Sequence, residues 1–169
     1  MFTIRIVSTP ENIDRLRERG PGIIAALTER MTVEMFKLQS EIVGTEIPKY
    51  FPNGAPNITA TVRANPAELD GSVIRGSVEA GGPRTTKITL KSGAEVDYAA
   101  VQHQGISHSF EILPFNKKVL SFIVDGNRVF ARKVVHPGLK PRPFMTDGLA
   151  AQREQIISGL QETFNEMMA

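Results

Sequence analysis

The side chains able to do chemistry are few in this sequence and poorly matched in spacing. Its 169 residues include three histidines, His103, His108 and His136, and no cysteine. The absent thiol removes a cysteine nucleophile, a thiolate metal cluster and a disulfide scaffold together. His103 and His108 stand five apart, on opposite faces of a strand and out of line on a helix, with no carboxylate at ligand spacing beside them. Neither arrangement suits shared metal ligation, so no metal or other cofactor is expected. Gly71-Ser72-Val73-Ile74-Arg75-Gly76 lacks the Lys-Ser/Thr ending of a phosphate loop, and there is no Gly-x-Ser-x-Gly elbow. Glu95 and Asp97 have no histidine nearby in sequence to orient and read as solvated. The expectation is a protein that is not an enzyme.

Charge offers a second class of function. The net value is only +2, but residues 101–145 carry Lys117, Lys118, Arg128, Arg132, Lys133, Lys140 and Arg142 against Glu111 and Asp125. Residues 146–169 reverse the balance, with Arg153 against Asp147, Glu154, Glu162 and Glu166. The basic third could meet nucleic acid, an acidic surface on another copy of the chain, or only solvent. It has no helix of clustered Arg and Lys for a groove and no series of exposed aromatics for stacking. Phe110, Phe115, Phe122 and Phe130 lie in strand-like segments and are expected in the core. Sequence-specific binding is therefore not expected, though a nucleic-acid-binding accessory role for residues 117–142 stays open.

The elements that would position these groups can be read from periodicity and punctuation. One domain, residues 1–169, suits the length. Phe2, Ile4 and Ile6 share a face of a first strand, and Thr9-Pro10-Glu11 starts a short helix that ends near Arg19. A longer helix spans about Ile23 to Val43, with Ile23, Leu27, Met31, Met35 (or Phe36), Leu38 and Ile42 as its apolar stripe and Glu34 among its polar remainder. Gly44 and Pro48 are expected to stop it. Residues 49–66, rich in Pro and Gly, read as a flexible loop around one strand at Ile58–Arg63. Strands follow at Ser72–Glu79 and Thr85–Lys91, then a short helix or strand end over Glu95–Gln104.

Lys118–Val124 and Arg128–Val135 read as a hairpin closed through Asp125-Gly126-Asn127, residues tolerant of positive φ. Both of its faces are apolar, so one should rest on helix and the other on something else, such as a second chain. Leu139-Lys140-Pro141-Arg142-Pro143 is held extended by its prolines. Thr146 or Asp147 then caps a final helix to Met168, with Leu149, Ile156, Ile157, Leu160, Phe164 and Met167 as its stripe. The fold class is α+β: a mixed or antiparallel sheet with a long hairpin, packed against the long helix of the first half and the terminal helix. No segment nears the ~20 apolar residues of a membrane span, and the amino terminus lacks the basic start and apolar block of a signal peptide. No membrane association is expected.

One constellation points further. Tyr98-Ala99-Ala100-Val101-Gln102-His103-Gln104-Gly105 resembles the Tyr-Ala-x-x-Val-Glu-x-Gly signature of the head–tail joining, neck or tail-completion proteins of tailed bacteriophages. His136-Pro137-Gly138, Pro143-Phe144 and the terminal helix follow in that family's order. The chain departs from the pattern at Gln102, where the family more often has Glu, and in its Pro/Gly-rich residues 49–66. The resemblance implies a non-enzymatic virion protein assembled in the host cytoplasm and located in the neck or tail. Its partners would be copies of itself in a ring, with six as the implied number, the head connector, and the tail-tube or tail-terminator proteins. Genomic DNA would pass through in passive contact. A tail-terminator or head-closure ring is the nearest alternative. Subunit contacts are expected from Tyr98, Gln102 and His103 of the signature and from Phe122, Arg128 and Phe130 of the hairpin. The segment that follows should add His136, Pro137, Lys140, Pro141, Arg142, Pro143 and Phe144.

Overall fold

Helix α1 runs from Pro21 to Glu41 and buries Ile23, Met31, Met35 and Leu38, the stripe its spacing predicts. Met35 occupies the core and Phe36 faces outward. The computed structural model describes residues 3–5, 21–71, 73–82, 88–89, 95–114 and 118–168. The predicted helix after Thr9, the side chains of the first strand and most of Thr85–Lys91 lie outside the described residues. Gly44 and Pro48 do not stop the helical path. The chain widens into a π-helical turn over Ile42–Glu46, where the Ile47 N–H reaches back to the Ile42 carbonyl. It then resumes as α2, Ile47–Tyr50, with Pro48 in the first turn. Proline has no N–H to donate and crowds the carbonyl four residues back. The wider turn ahead of it relieves the clash, and in a first turn the missing donor has no helical partner to lose.

The strand expected at Ile58–Arg63 is instead a one-turn helix, α3, over Pro56–Thr59. It plugs Ile58 into the core at 0% exposure. Strand β2 starts only at Arg63 and runs to Asp70. It pairs antiparallel with β3, Val73–Glu79, which also pairs with β1, Thr3–Arg5, giving the order β1-β3-β2. Pro66 sits where the β2–β3 register shifts between Asn65 and Glu68, on an edge strand that tolerates the missing donor. Helix α1 ties down this irregular edge. Gln39 donates to the Val62 carbonyl (3.1 Å) and accepts from the Ala64 N–H (3.1 Å), and Thr32 Oγ1 accepts from the Ala67 N–H (2.9 Å).

Two short strands, β4 (Ile88–Thr89) and β5 (Glu95–Val96), pair antiparallel and lead into helix α4, Tyr98–Gln104. The strand-like segment at Phe110 forms β6, Phe110–Ile112. The predicted strand Arg128–Val135 breaks at Arg132 into β8, Asn127–Ala131, and β9, Val134–His136. Strand β9 then pairs with β6, while β8 pairs with β7, Leu120–Val124. The terminal helix α5 spans Phe144–Met168. It begins ahead of the expected Thr146 or Asp147 cap, and the Pro143 carbonyl takes the Asp147 N–H at 2.9 Å.

The architecture is α+β, helix mixed with antiparallel sheet. Its core lies between the three-stranded sheet, α1 and α5, with Met31, Met35, Leu38, Ile42, Val78, Phe144 and Ile156 at its centre. Helices α1 and α5 run antiparallel and approach closely at two glycines. A Cβ on Gly148 would come within 2.5 Å of Ile42, and one on Gly159 would strike the Arg30 guanidinium. That second approach explains a departure from the sequence reading. Glu34, expected on the polar face, is 0% exposed, with Arg30 Nε and Lys37 Nζ each 2.9 Å from its Oε1.

The hairpin corrects another expectation. Its turn forms locally as read, with Asp125 and Gly126 both at positive φ (49° and 80°) and Val124 facing Asn127, the geometry of a two-residue hairpin loop. Among the described residues, however, neither face rests on helix. Every residue from Ser121 to Phe130 is exposed. Phe122 and Phe130 are therefore not core residues, Phe110 is half-buried, and Phe115 lies outside the described residues.

Candidate subunit interface

Helix α4 is built to hold its place. Asp97, read as a solvated acid, is its N-cap: Oδ1 accepts from the Ala99 N–H at 2.9 Å and Oδ2 from the Gly82 N–H at 2.7 Å. Gly105 ends the helix at φ 73°, with its N–H on the Val101 carbonyl. The chain then bridges to the segment after the hairpin. Ile106 and Leu139 exchange both backbone hydrogen bonds, at 2.8 and 2.9 Å. Here the two motif glycines become intelligible. A Cβ on Gly105 would lie 2.5 Å from the Leu139 carbonyl, and one on Gly138 (φ 113°) would strike the Ile106 carbonyl. Only glycine lets the two backbones close at both points.

The same closure gathers the side chains. The Arg142 N–H donates to the Gln102 carbonyl (3.0 Å) while its Nη1 donates to Gln102 Oε1 (2.5 Å). Its guanidinium lies 4.5 Å from the centre of the Phe51 ring, a cation–π contact. Phe144 meets Phe51 and His103 edge-on, at 6.4 and 5.3 Å. His103 Nε2 and Thr146 Oγ1 are 3.3 Å apart. Burial holds the His103 imidazole below its usual pKa, and the Asp147 carboxylate opposes that shift. Asp147 also accepts from the Tyr50 hydroxyl at 2.5 Å, which raises the phenol's pKa, and lies 3.7 Å from Lys49. Lys49 is raised chiefly by its 3.2 Å hydrogen bond to Glu46.

The residues expected at a subunit interface thus divide. Gln102, His103 and Phe144 are 5%, 7% and 0% exposed and are packed inside their own chain. Tyr98, Arg142 and Pro143 are half-buried around the same knot. His136 stacks on Phe110 at 5.0 Å and its Nδ1 accepts from the Gly138 N–H. Pro137, Lys140 and Pro141 are exposed beside it, as are Phe122, Arg128 and Phe130 on the hairpin. The sequence reading passed over the most open apolar side chain of that hairpin, Ile123, at 70% exposure. Val124 and Val129 of the hairpin are also open, as is Val135 on β9, and the apolar residues on both hairpin faces already marked a surplus over one covered face. Also missed were Val33 and Phe36 on the outer side of α1, at 43% and 49%.

Among the described residues no cluster of three His, Cys, Asp or Glu could hold a metal, and no helix is long and apolar enough to cross a membrane. Comparison with family models, curated proteins and solved structures gave no match. Among the described residues, what stands out is an exposed apolar two-stranded arm that carries Arg128, with Arg132 just past its end, near in sequence to a knot of hydrogen bonds and aromatic contacts.

Proposed function

We propose that this chain is a structural, non-enzymatic subunit of a tailed-bacteriophage neck. It completes the tail end and mediates head–tail joining by forming a ring, of six copies on the family's pattern, through which DNA passes. The observation that carries the reading is the hairpin β7–β8, which has apolar side chains on both faces and is exposed at every residue from Ser121 to Phe130. Two strands alone are marginal in water, and large apolar side chains clustered on an exposed element mark an association site. The segments that bear the family resemblance, Tyr98–Gly105, His136-Pro137-Gly138 and Pro143-Phe144, also converge at the root of this arm, which supports reading them as one unit.

The test is assembly. In a phage that carries this chain, its removal should leave DNA-filled heads and finished tails that fail to join, and the purified chain should form a closed oligomer by light scattering. Normal particles without it, together with a chain that stays monomeric, would overturn the reading. A DNA affinity that falls steeply between two salt concentrations would instead favour a nucleic-acid-binding role for the basic region.

A further inference from the structure

We propose that the hairpin of one copy seats on the outer strip between α1 and α5 of the next copy, so that each subunit carries both halves of a head-to-tail contact. This rests on the ring reading above and supplies its acceptor surface.

The strip is an open groove of roughly 530 Å³ between the two helices, with Val33 and Phe36 as its apolar floor and Glu41, Gln152 and Gln155 along its sides. These two apolar residues are not needed by the protein's own core, which takes Met31, Met35 and Leu38 from the opposite side of α1. Beyond Glu41, two exposed carboxylates flank the groove along the helices. Glu29 is exposed one turn before Val33, and Glu162 is exposed one heptad after Gln155, on the same flank of α5. Lys37 and Ser40 also line the groove, and the Lys37 ammonium is hydrogen-bonded to buried Glu34 at 2.9 Å.

The hairpin offers the complement. Ser121 faces Phe130 and Ile123 faces Arg128 across the strands, so Ile123, Phe130 and Arg128 share one face. Ile123 and Phe130 are its most open apolar side chains, at 70% and 63%. An apolar pair with an arginine beside it would meet an apolar pair bordered by glutamates. Pairing hairpin with hairpin would crowd Arg128 against its own copy, and pairing strip with strip would crowd the glutamates. Charge therefore favours unlike patches, and a contact between unlike patches is the kind that propagates into a ring.

The experiment uses two variants of the full chain, Ile123→Glu/Phe130→Glu on the arm and Val33→Glu/Phe36→Glu on the strip. Each alone should be monomeric by light scattering. Mixed in equal amounts they should form a one-to-one pair and nothing larger, since one intact arm and one intact strip remain. Formation of that pair also proves that both variants are folded. Arg128→Glu should weaken assembly at least about tenfold, and adding Glu41→Arg in the same chain should restore it. A mixture that stays monomeric, or variants that still form rings like the wild type, overturn this contact while the ring reading stands. A wild-type chain that remains monomeric at every concentration overturns both.

Discussion

Strand β3 and the hairpin β7–β8 are built from the same kinds of residue and meet opposite fates. In β3, Val78 is 2% exposed and Ile74 is half-buried, because α1 lies across the face they share. The close approach is possible because Gly76 leaves room for Met31 and Met35. In the hairpin, Phe122, Ile123, Val129 and Phe130 point into solvent on both faces. Alternation decides which side chains share a face, and nothing in it decides what covers that face. The body of the molecule is closed by helices of its own chain, whereas the arm is closed by a tight turn and left bare.

If that contrast is energetic, body and arm should respond differently to the same truncation. Phe144 is fully buried against Phe51 and His103, so Phe144→Ala should cost about 3–5 kcal/mol in urea unfolding, through lost burial and the cavity left behind. A cost below about 1 kcal/mol would mean that the knot around Phe144 is loose, and the distinction between body and arm would fail.

Much of the body was legible because its signals are local. The stripe from Ile23 to Ile42 locates α1, alternation locates β3, and Asp125-Gly126 sets the hairpin turn. What was not legible depends on residues far apart in the chain. Glu34 looks like a surface acid until Gly159, on another helix, admits Arg30 beside it. Pro48 looks like a stop until the π turn before it relieves the clash. The strand pair β6–β9 arises because the chain bends at Arg132 and sends Val134–His136 to a different partner, which no pattern within 128–135 announces. The packing of the motif residues depends on distant segments in the same way. Gln102, His103 and Phe144 carry a recognisable motif, but the motif serves to lock residues 136–144 onto α4, and the free surface is the arm beyond it.

A second difference between the regions is in pH. His103 lies in the body, and burial holds its folded-state pKa below the ordinary value of 6.5, although Asp147 partly offsets this. The unfolded chain therefore takes up a proton that the folded chain refuses. The stability this imidazole contributes is complete above about pH 6.5 and is lost as the pH falls through the folded-state value. Urea midpoints should decline from pH 7 toward pH 5, and His103→Gln should flatten that decline whatever its effect at pH 7. An unchanged slope in the variant would assign the acid sensitivity to other groups.

The smallest effect on the isolated protomer is expected at the arm itself. Phe130→Ser removes an aromatic ring that is 63% exposed, and below the concentration at which copies associate it should change stability by no more than about 0.5 kcal/mol. The informative quantity is how stability varies with concentration. Association that occurs only in the folded state raises the melting temperature with protein concentration, so the wild-type Tm should climb as the chain is concentrated and the Phe130→Ser value should stay nearly flat. Were Phe130→Ser to destabilise the dilute protomer by about 2 kcal/mol or more, the ring would have to be supported from within its own chain. The hairpin would then belong to the body, and its open face would no longer require a neighbour.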